Sequence, residues 1–348
     1  MPLPPPAGVF QCSVSTTEKQ SGTIRAFSNL PWERFMKRYY CLGFLTLLFS
    51  AILVAADAKK DYSQTDFMRV SKPEGKKLPV SYDTAIARFS DDKNNVQVDL
   101  IGAVHIGDKE YYAELNEIFK RYDVVLYELV AEEGAKPNPS TGKNESQSVL
   151  SSFQSGFGNA LALDFQLAHV DYHAKNMVHA DMSPQDFVQR FQDRGDFIQM
   201  LLRIMILSAK KSGDQEAQDD EMKMLGRLSA SLLFAPDPAL SLKRVLAEEM
   251  MNQLEDALWI IGGDGSAIIT DRNAVTLKVL RRELAKGKKK IAIFYGAAHL
   301  PEFAKSLETE FKMKHTATDW VVAWDLTNDR SVRKPIPVRS QVVPSPSP

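Results

Sequence analysis

The sequence predicts an α/β fold, or the nearby α+β arrangement, with a central mixed sheet and flanking helices. Three observations carry this. Short apolar runs of strand length alternate with segments of helical period. Two remote segments share the order strand, Gly-x-x-His, helix, strand, once between Gly102 and Val130 and again between Gly296 and Leu326. That recurrence predicts two pseudo-symmetric units. Between the units, residues of about 184–256 read as a helical insertion.

The elements follow in chain order. Residues 59–80 are polar and are expected to form an extended lead-in, and "YDTAIARF" a short first element. Val96 to Ile101 is an apolar run expected as a buried strand. After His105 the period changes, and "DKEYYAELNEIFKRY" sets Tyr112, Leu115 and Phe119 on one helical face. "DVVLYELV" is the next strand, which completes a βαβ unit. Residues 131–150 form a polar loop long enough for a lid or an insertion. "NALALDFQLAHVDYHAKN" reads as helix, and "MVHAD" as a short strand ending at Asp181. "SPQDFVQRF" opens a helix, with Ser183 as N-cap and Pro184 in the first position.

Phe197 to Leu207 is apolar on nearly every face but too short to span a membrane. It is either a deeply buried helix, the favoured reading, or a partly exposed surface for a partner, a lipid or an apolar substrate. "KKSGDQEAQDDE" is expected as a charged surface loop, and "EMKMLGRLSASLLF" and "SLKRVLAEEMMNQLEDALWII" as two helices. "TDRNAVTLKVLRREL" is a helix with Thr270 as N-cap, stopped by Gly287. Lys290 to Tyr295 is a strand. The Gly296–His299 motif, a helix near "PEFAKSLETEF" and a last strand in "TDWVVAWDL" complete the pattern.

The ends read as processed segments. Met36 is followed by Lys37 and Arg38, an apolar run from Cys41 to Ala56, and small residues at Ala56 and Ala58. This is the n-region, h-region and cleavage site of a signal peptide. The place of this signal, some 35 residues in, suggests that translation begins at Met36, and we expect an exported chain, periplasmic or secreted, cut after Ala58. The alternative is retention as a single anchor. Residues 335–348 are proline-rich and expected to be disordered. One domain over about 80–330 remains.

Both cysteines, Cys12 and Cys41, fall upstream of the cut, which excludes cysteine nucleophiles, thiolate metal sites and disulfides from the mature chain. Beyond Ala58 lie 38 of the 43 basic and 41 of the 44 acidic residues, a net charge near -3. No basic footprint of a nucleic-acid binder exists, so no nucleic-acid partner is expected.

In α/β sheets, ligands gather outside the carboxyl ends of the strands. His105 and His299 lie just past two such ends. They are either a paired site or two capping or core histidines. Glu128 interrupts an apolar strand near its end, where a carboxylate is costly unless paired or metal-bound. It is either part of that site or a strand-end salt bridge. Arg272 and Asn273 open a helix, where the dipole disfavours a cation. This suggests that Arg272 pairs with Glu128 or holds an anionic intermediate, unless it is an ordinary surface arginine. Asp181 either faces the same crevice or belongs to the local turn. His169 and His173 are four apart, a spacing that could hold a metal on one helical face, but "HVDYH" lacks the glutamate of a His-Glu-x-x-His site. His315 is expected at the surface.

These residues carry a resemblance. "IGAVHIGDKEYY", "YDVVLYELV", "TDRN" and "FYGAAHL" resemble the TraB/PrgY/GumN family, related to the Tiki metalloproteases. Matched in order are Gly102 and His105, Glu128, Arg272 with Asn273, and Gly296 with His299, across most of residues 95–325. The resemblance implies a fold shared with erythromycin esterase and ChaN-like haem-binding proteins, and a metal-dependent peptidase activity outside the cell. The chain departs from the family where an Asp-Arg pair often follows the central strand, since "VHADMS" keeps only the aspartate. Its segments 131–150 and 193–236 are also particular to it.

The leading expectation is a metal-dependent hydrolase acting on a peptide or protein. His105, His299 and Glu128 would hold Mn, Co or Zn, or Glu128 would act as general base toward a metal-activated water. Arg272 or Asn273 would stabilise the oxyanion, with Asp181 nearby. Two histidines and a carboxylate leave an open coordination position. The alternatives are a haem or other ligand binder using the same histidines, and an interaction protein with a vestigial site.

Overall fold

The computed structural model describes residues 61–137, 161, 163–261 and 266–327. The expected signal peptide and start, most of the polar loop at 131–150 and the proline-rich tail lie outside these residues. The described residues group as one compact unit.

Seven strands form the main sheet. These are β1 (Met68–Ser71), β2 (Ser81–Asp91), β3 (Val96–Ala103), β5 (Val124–Tyr127), β7 (Met177–His179), β8 (Lys290–Gly296) and β9 (Lys314–Asp325). Two-residue strands β4 (Ile106–Gly107) and β6 (Asp164–Phe165) make a separate small ladder. The path through the main sheet is β1-β2-β3-β8-β5-β7, with β9 also on β2. β3, β8, β5 and β7 run parallel, whereas β2 is antiparallel to β1, β3 and β9. The sheet is therefore mixed, as predicted. The lead-in is not merely extended: β1 lies within it, because Val70 and Met68 supply apolar positions that pair along β2.

The connections explain the two faces. From β3 the chain crosses over β8 through α1 (Lys109–Phe119) to reach β5. From β8 it crosses back over β3 and β2 through α9 (Leu300–Thr309) to reach β9. Crossovers between parallel strands are right-handed almost without exception, so opposite travel demands opposite faces. That is how the core divides. Tyr111, Tyr112, Leu115, Ile118 and Phe119 of α1 belong to one apolar cluster, and Leu300, Phe303, Ala304 and Leu307 of α9 to the other. β3 and β8 thus leave the sheet toward opposite faces from adjacent parallel positions, which opens a crevice at their carboxyl ends.

The region between β5 and β7 is less helical than "NALALDFQLAHVDYHAKN" suggests. In its described part, β6 leads into α2, a single turn (Gln166–His169) that ends where Val170 turns extended. The insertion holds α3 (Pro184–Asp193), α4 (Asp196–Ser212), α5 (Gln215–Phe234), α6 (Pro238–Asn252) and α7 (Leu254–Ile261). Ser183 caps α3 by accepting from the Asp186 N–H, as its position predicts. Two expectations fail here. "KKSGDQEAQDDE" is no loop: α4 runs to Ser212, and Asp214 caps α5 by accepting from the N–H groups of Glu216 and Ala217. Nor is Phe197 to Leu207 a buried helix. Ile198, Leu202, Met205 and Ile206 stand more than half exposed, because α4 has neighbours on one side only. Apolarity all round a helix predicts burial only if a second layer exists to cover it. No described helix is long and apolar enough to cross a membrane.

Helix α8 (Arg272–Ala285) precedes β8 and ends where Gly287 takes a left-handed φ of 83°, the helix stop read from the sequence. Its start differs from expectation. A π-helical turn, Ala267–Asp271, runs directly into it, capped by Ser266 rather than Thr270.

The insertion is tied to the sheet by one buried ion pair. Lys243 of α6 donates to Asp108 at 2.7 Å, and Asp108 also accepts from the Asp325 N–H of β9. Removing the carboxylate strands a buried ammonium, whereas removing both charges does not. Asp108→Ala should lower stability by about 3 kcal/mol, and Asp108→Asn paired with Lys243→Met should recover most of the loss. Chemical denaturation of the three proteins at neutral pH measures this.

Candidate functional site

The four parallel strands are in register near their carboxyl ends, with β3 and β8 running two residues further than β5 and β7. Ile101, Phe294, Tyr127 and His179 lie side by side across β3, β8, β5 and β7. The residues just beyond this row carry the polar side chains. Glu128 continues β5, its N–H donating to the Phe294 carbonyl at 3.2 Å, and Asp181 lies two residues past β7.

Arg272 joins them. Its Nη2 donates to Glu128 Oε1 and to Asp181 Oδ2, each at 2.6 Å, and its Nε donates to Asp181 Oδ1 at 3.0 Å. The dipole objection to a cation at a helix start disappears here. The π-turn continues the helix backward past Arg272, and two carboxylates meet the guanidinium. Glu128 Oε2 accepts the Gly296 N–H at 2.6 Å.

That contact explains one glycine of the motif pair. A Cβ on Gly296 would sit 3.2 Å from Glu128 Oε2, in the space the carboxylate needs. Gly102 is explained by packing. A Cβ there would meet Thr84, Ala297 and Leu300 at 3.3–3.4 Å, so the glycine of the first motif seats an alanine of the second. Close approach, rather than a tight turn, is the reason for both.

His299 is buried, and its orientation is fixed. Nδ1 lies 2.7 Å from Asn273 Oδ1, while Asn273 Nδ2 faces two acceptors, the His299 carbonyl and Glu302 Oε2, each at 3.3 Å. The amide therefore presents its oxygen to the ring, His299 carries its proton on Nδ1, and Nε2 keeps a lone pair. Thr270 donates to the same Glu302 oxygen at 3.1 Å, which extends the relay. His299 Nε2 is 3.8 Å from Glu128 Oε1. The Tyr295 ring stands edge-on to the imidazole, and its hydroxyl is held by Thr276 and the Ala180 carbonyl.

The electrostatics follow from this enclosure. Burial pushes His299 down to about 4 against the pull of Glu128, so the ring is neutral at neutral pH. Burial alone would raise the Glu128 carboxyl, but His299 in its protonated form, Arg272, His105 and the Gly296 N–H overcome it and hold it at about 2, in the acid range where that ring is charged. With His299 neutral, Arg272 supplies the full positive charge in that set.

His105 is placed differently from His299. It is exposed, and its Nδ1 lies 3.1 Å from Gln166 Oε1, with Gln166 Nε2 in turn on the Tyr172 hydroxyl. It stays close enough to act electrostatically on Glu128 and His299. Glu128, Asp181, Arg272, Asn273 and His299 are thus brought into contact, and His105 stands at the rim. Among the described residues no group of three or more histidine, cysteine, aspartate or glutamate side chains is gathered to hold a metal ion. Asn273 is not positioned as an oxyanion donor, because both ends of its amide are used by His299 and Glu302.

Other expectations are corrected. His169 and His173 share no helical face, since α2 ends at His169. His169 Nε2 bonds Asp164, and His173 Nε2 bonds the Pro137 carbonyl. His315 is half-buried beside Phe89 and Tyr62 rather than free on the surface. The sequence also left unmarked the bidentate bond from Arg194 to Asp271, and the Ala267 N–H donation to Asp196. These tie the insertion to the π-turn that carries Arg272. Comparison with family models, curated proteins and solved structures yields no match for this chain.

A depressed histidine pKa makes the folded state resist protonation. The unfolded chain takes up a proton near 6.5, the folded one only near 4. The contribution of His299 is therefore complete above about pH 6.5 and lost as pH falls toward 4, by up to about 3 kcal/mol. His299→Gln should flatten that part of the stability curve. Urea midpoints at pH 7 and pH 4.5 for both proteins test it, and equal acid sensitivity would contradict a buried neutral imidazole.

Proposed function

We propose that this chain is an exported hydrolase that binds a divalent metal ion at the carboxyl ends of β3, β5 and β8 and cleaves peptide or protein substrates. One observation carries the reading: His299 is buried, neutral and locked with its Nε2 lone pair toward the ionised carboxylate of Glu128. A metal ligand must be deprotonated, and a histidine ligand commonly has its other nitrogen fixed by a second group. Both conditions are met in advance, with Asn273 as the fixing group. The donors are nitrogen and oxygen, which suits Mn, Co or Zn. The resemblance of the paired Gly-x-x-His motifs to the TraB/PrgY/GumN and Tiki proteins supports peptide bonds as the target.

In this reading His299 and Glu128 would hold the ion, and His105, now at the rim, would have to move in to supply a third ligand. The ion would contribute Lewis acidity and water activation. The protein's own groups do the rest. Arg272 fixes Glu128 through Nη2 and keeps it ionised, so Glu128 acts as ligand and not as general base; a carboxylate near 2 is a weak base at neutral pH. The Nη1 of Arg272 lies outside these contacts and is the donor available to a developing oxyanion. Asp181 holds the guanidinium plane.

Elemental analysis of protein purified without added metal, beside a peptide-library assay with and without chelator, tests the proposal. About one ion per chain and cleavage lost to chelator are expected. Absence of both, or a Soret band from bound haem, would overturn it. Glu128→Gln and His299→Ala should each lower turnover at least 100-fold.

Asn273→Ala should weaken metal binding by roughly 10–100-fold through a loosened imidazole, while Thr270→Val, which leaves the Asn273 amide on His299 in place, should retain most of it. Calorimetric titration with Mn and Zn separates the two variants.

A further inference from the structure

The largest feature the proposed hydrolase leaves unused is the outer face of the insertion. α4 and α5 pack against each other across the turn at Gly213 and Asp214. On α4 the half-buried residues Met200, Arg203 and Leu207 face inward. Ile198, Leu201, Leu202 and Met205 fall on the opposite face, at i, i+3, i+4 and i+7, and are exposed. The helix is inverted: its cation-bearing seam faces the protein and its apolar stripe faces outward. α5 does the same, with Met224, Leu228 and Ser231 inward and Met222 and Leu233 outward. Met205 is 66% exposed and Leu233 72%. Between the outer residues of α5 lies Gly226, with open space where its Cβ would be, so another helix could approach its backbone closely.

Two observations choose the occupant. The first is size. These exposed side chains, with Ile204, Ile206, Leu225, Leu232 and Phe234 beside them, present on the order of 1,000 Å² of apolar surface, enough for the ~800 Å² each partner buries in a standard interface. Monomers rarely leave more than a few hundred Å² of contiguous apolar surface in water. The second is charge. On α4 Arg203 faces inward and Lys211 pairs with Asp256 of α7, which leaves Lys210 at the margin of the apolar stripe. α5 carries Glu216, Asp219, Asp220 and Glu221 against Lys223 and Arg227, a net -2. An anionic lipid surface would meet the acids of α5. A second copy of the chain related by a two-fold axis would instead set each α4 against the partner's α5, both ways at once.

We propose that the α4–α5 face is a homodimer interface, in which two hairpins pack as an antiparallel four-helix arrangement with α4 opposite α5. The pairing covers the apolar stripes and sets Lys210 toward the acidic start of the partner copy's α5. It leaves the carboxyl ends of the sheet open, and does not depend on the metal or on the hydrolase reading.

Sedimentation equilibrium of the full chain over a wide concentration range is the test, with circular dichroism melts to verify folding. The native chain is expected to show a dimer mass. Leu202→Glu with Met205→Glu should weaken association at least 100-fold with the melt kept. Should that pair unfold, charge exchange remains decisive. Lys210→Glu should weaken the dimer, and adding Asp219→Lys should restore it. A monomer mass throughout would overturn the proposal. So would association unaffected by either set of changes, or co-sedimentation of a monomeric chain with phosphatidylglycerol–phosphatidylethanolamine vesicles that the Leu202 and Met205 changes abolish.

Discussion

A single guanidinium holds the site together. Arg272 is buried at the meeting point of three elements, and its bonds to Glu128 and Asp181 join the end of β5, the segment after β7 and the first turn of α8. Buried charges persist only when paired with good geometry, and the loss of any member leaves an uncompensated charge behind. The position of Glu128, and through it the docking on Gly296, therefore depends on α8 starting where it does. The π-turn sets that start, and the insertion holds the π-turn through Arg194 on Asp271 and Asp196 on the Ala267 N–H. A helical segment far along the chain thus enters the geometry of the strand ends without contributing a side chain to them.

The packing beneath this cluster imposes a second constraint. β3 and β8 are neighbours whose chains depart to opposite faces, so their terminal residues must pass each other closely. Gly102 accommodates Ala297, and Gly296 accommodates the carboxylate of Glu128. Larger residues at either place would push apart the two strands that define the crevice. The repeated motif is thus less a repeat of function than two solutions to one crowding problem at a topological switch point.

Much of this was legible in the sequence, and for identifiable reasons. Buried parallel strands read as apolar runs, so β3 and β8 could be placed to within a residue or two, whereas the run for β5 overshoots the strand's end by three residues, Glu128 to Val130. A carboxylate at the end of such a run and a cation at a helix start are each costly alone, and that cost makes a Glu128–Arg272 pair one of the readings the sequence offers, which the structure selects. What the sequence withheld depends on long-range contact. β2 reads as a short element because its outermost residues, Ser81, Ser90 and Asp91, are polar, although it pairs with three strands. The charged stretch after Lys210 looked like a loop because helix faces turned to solvent carry charge as readily as loops do. Asn273 was legible as a site residue, but the use of its amide was not, since that depends on Glu302, a residue with no motif around it.

The two histidines of the paired motifs differ in environment, and the difference bears on what the crevice requires. His299 is enclosed by Tyr295 and Phe303 and stays neutral. His105 reaches solvent and is steadied only by Gln166. With His299 neutral, the salt-bridged cluster holds two carboxylates against one guanidinium, and so an excess of one negative charge in a poorly solvated place. Such an excess calls for a counter-charge. Protonating His299 would provide it, but burial opposes that. A cation bound between Glu128 and the two imidazoles would provide it without protonating either ring. The same desolvation that makes His299 a poor proton acceptor leaves its lone pair free for that cation at pH values where an exposed histidine would already be partly protonated.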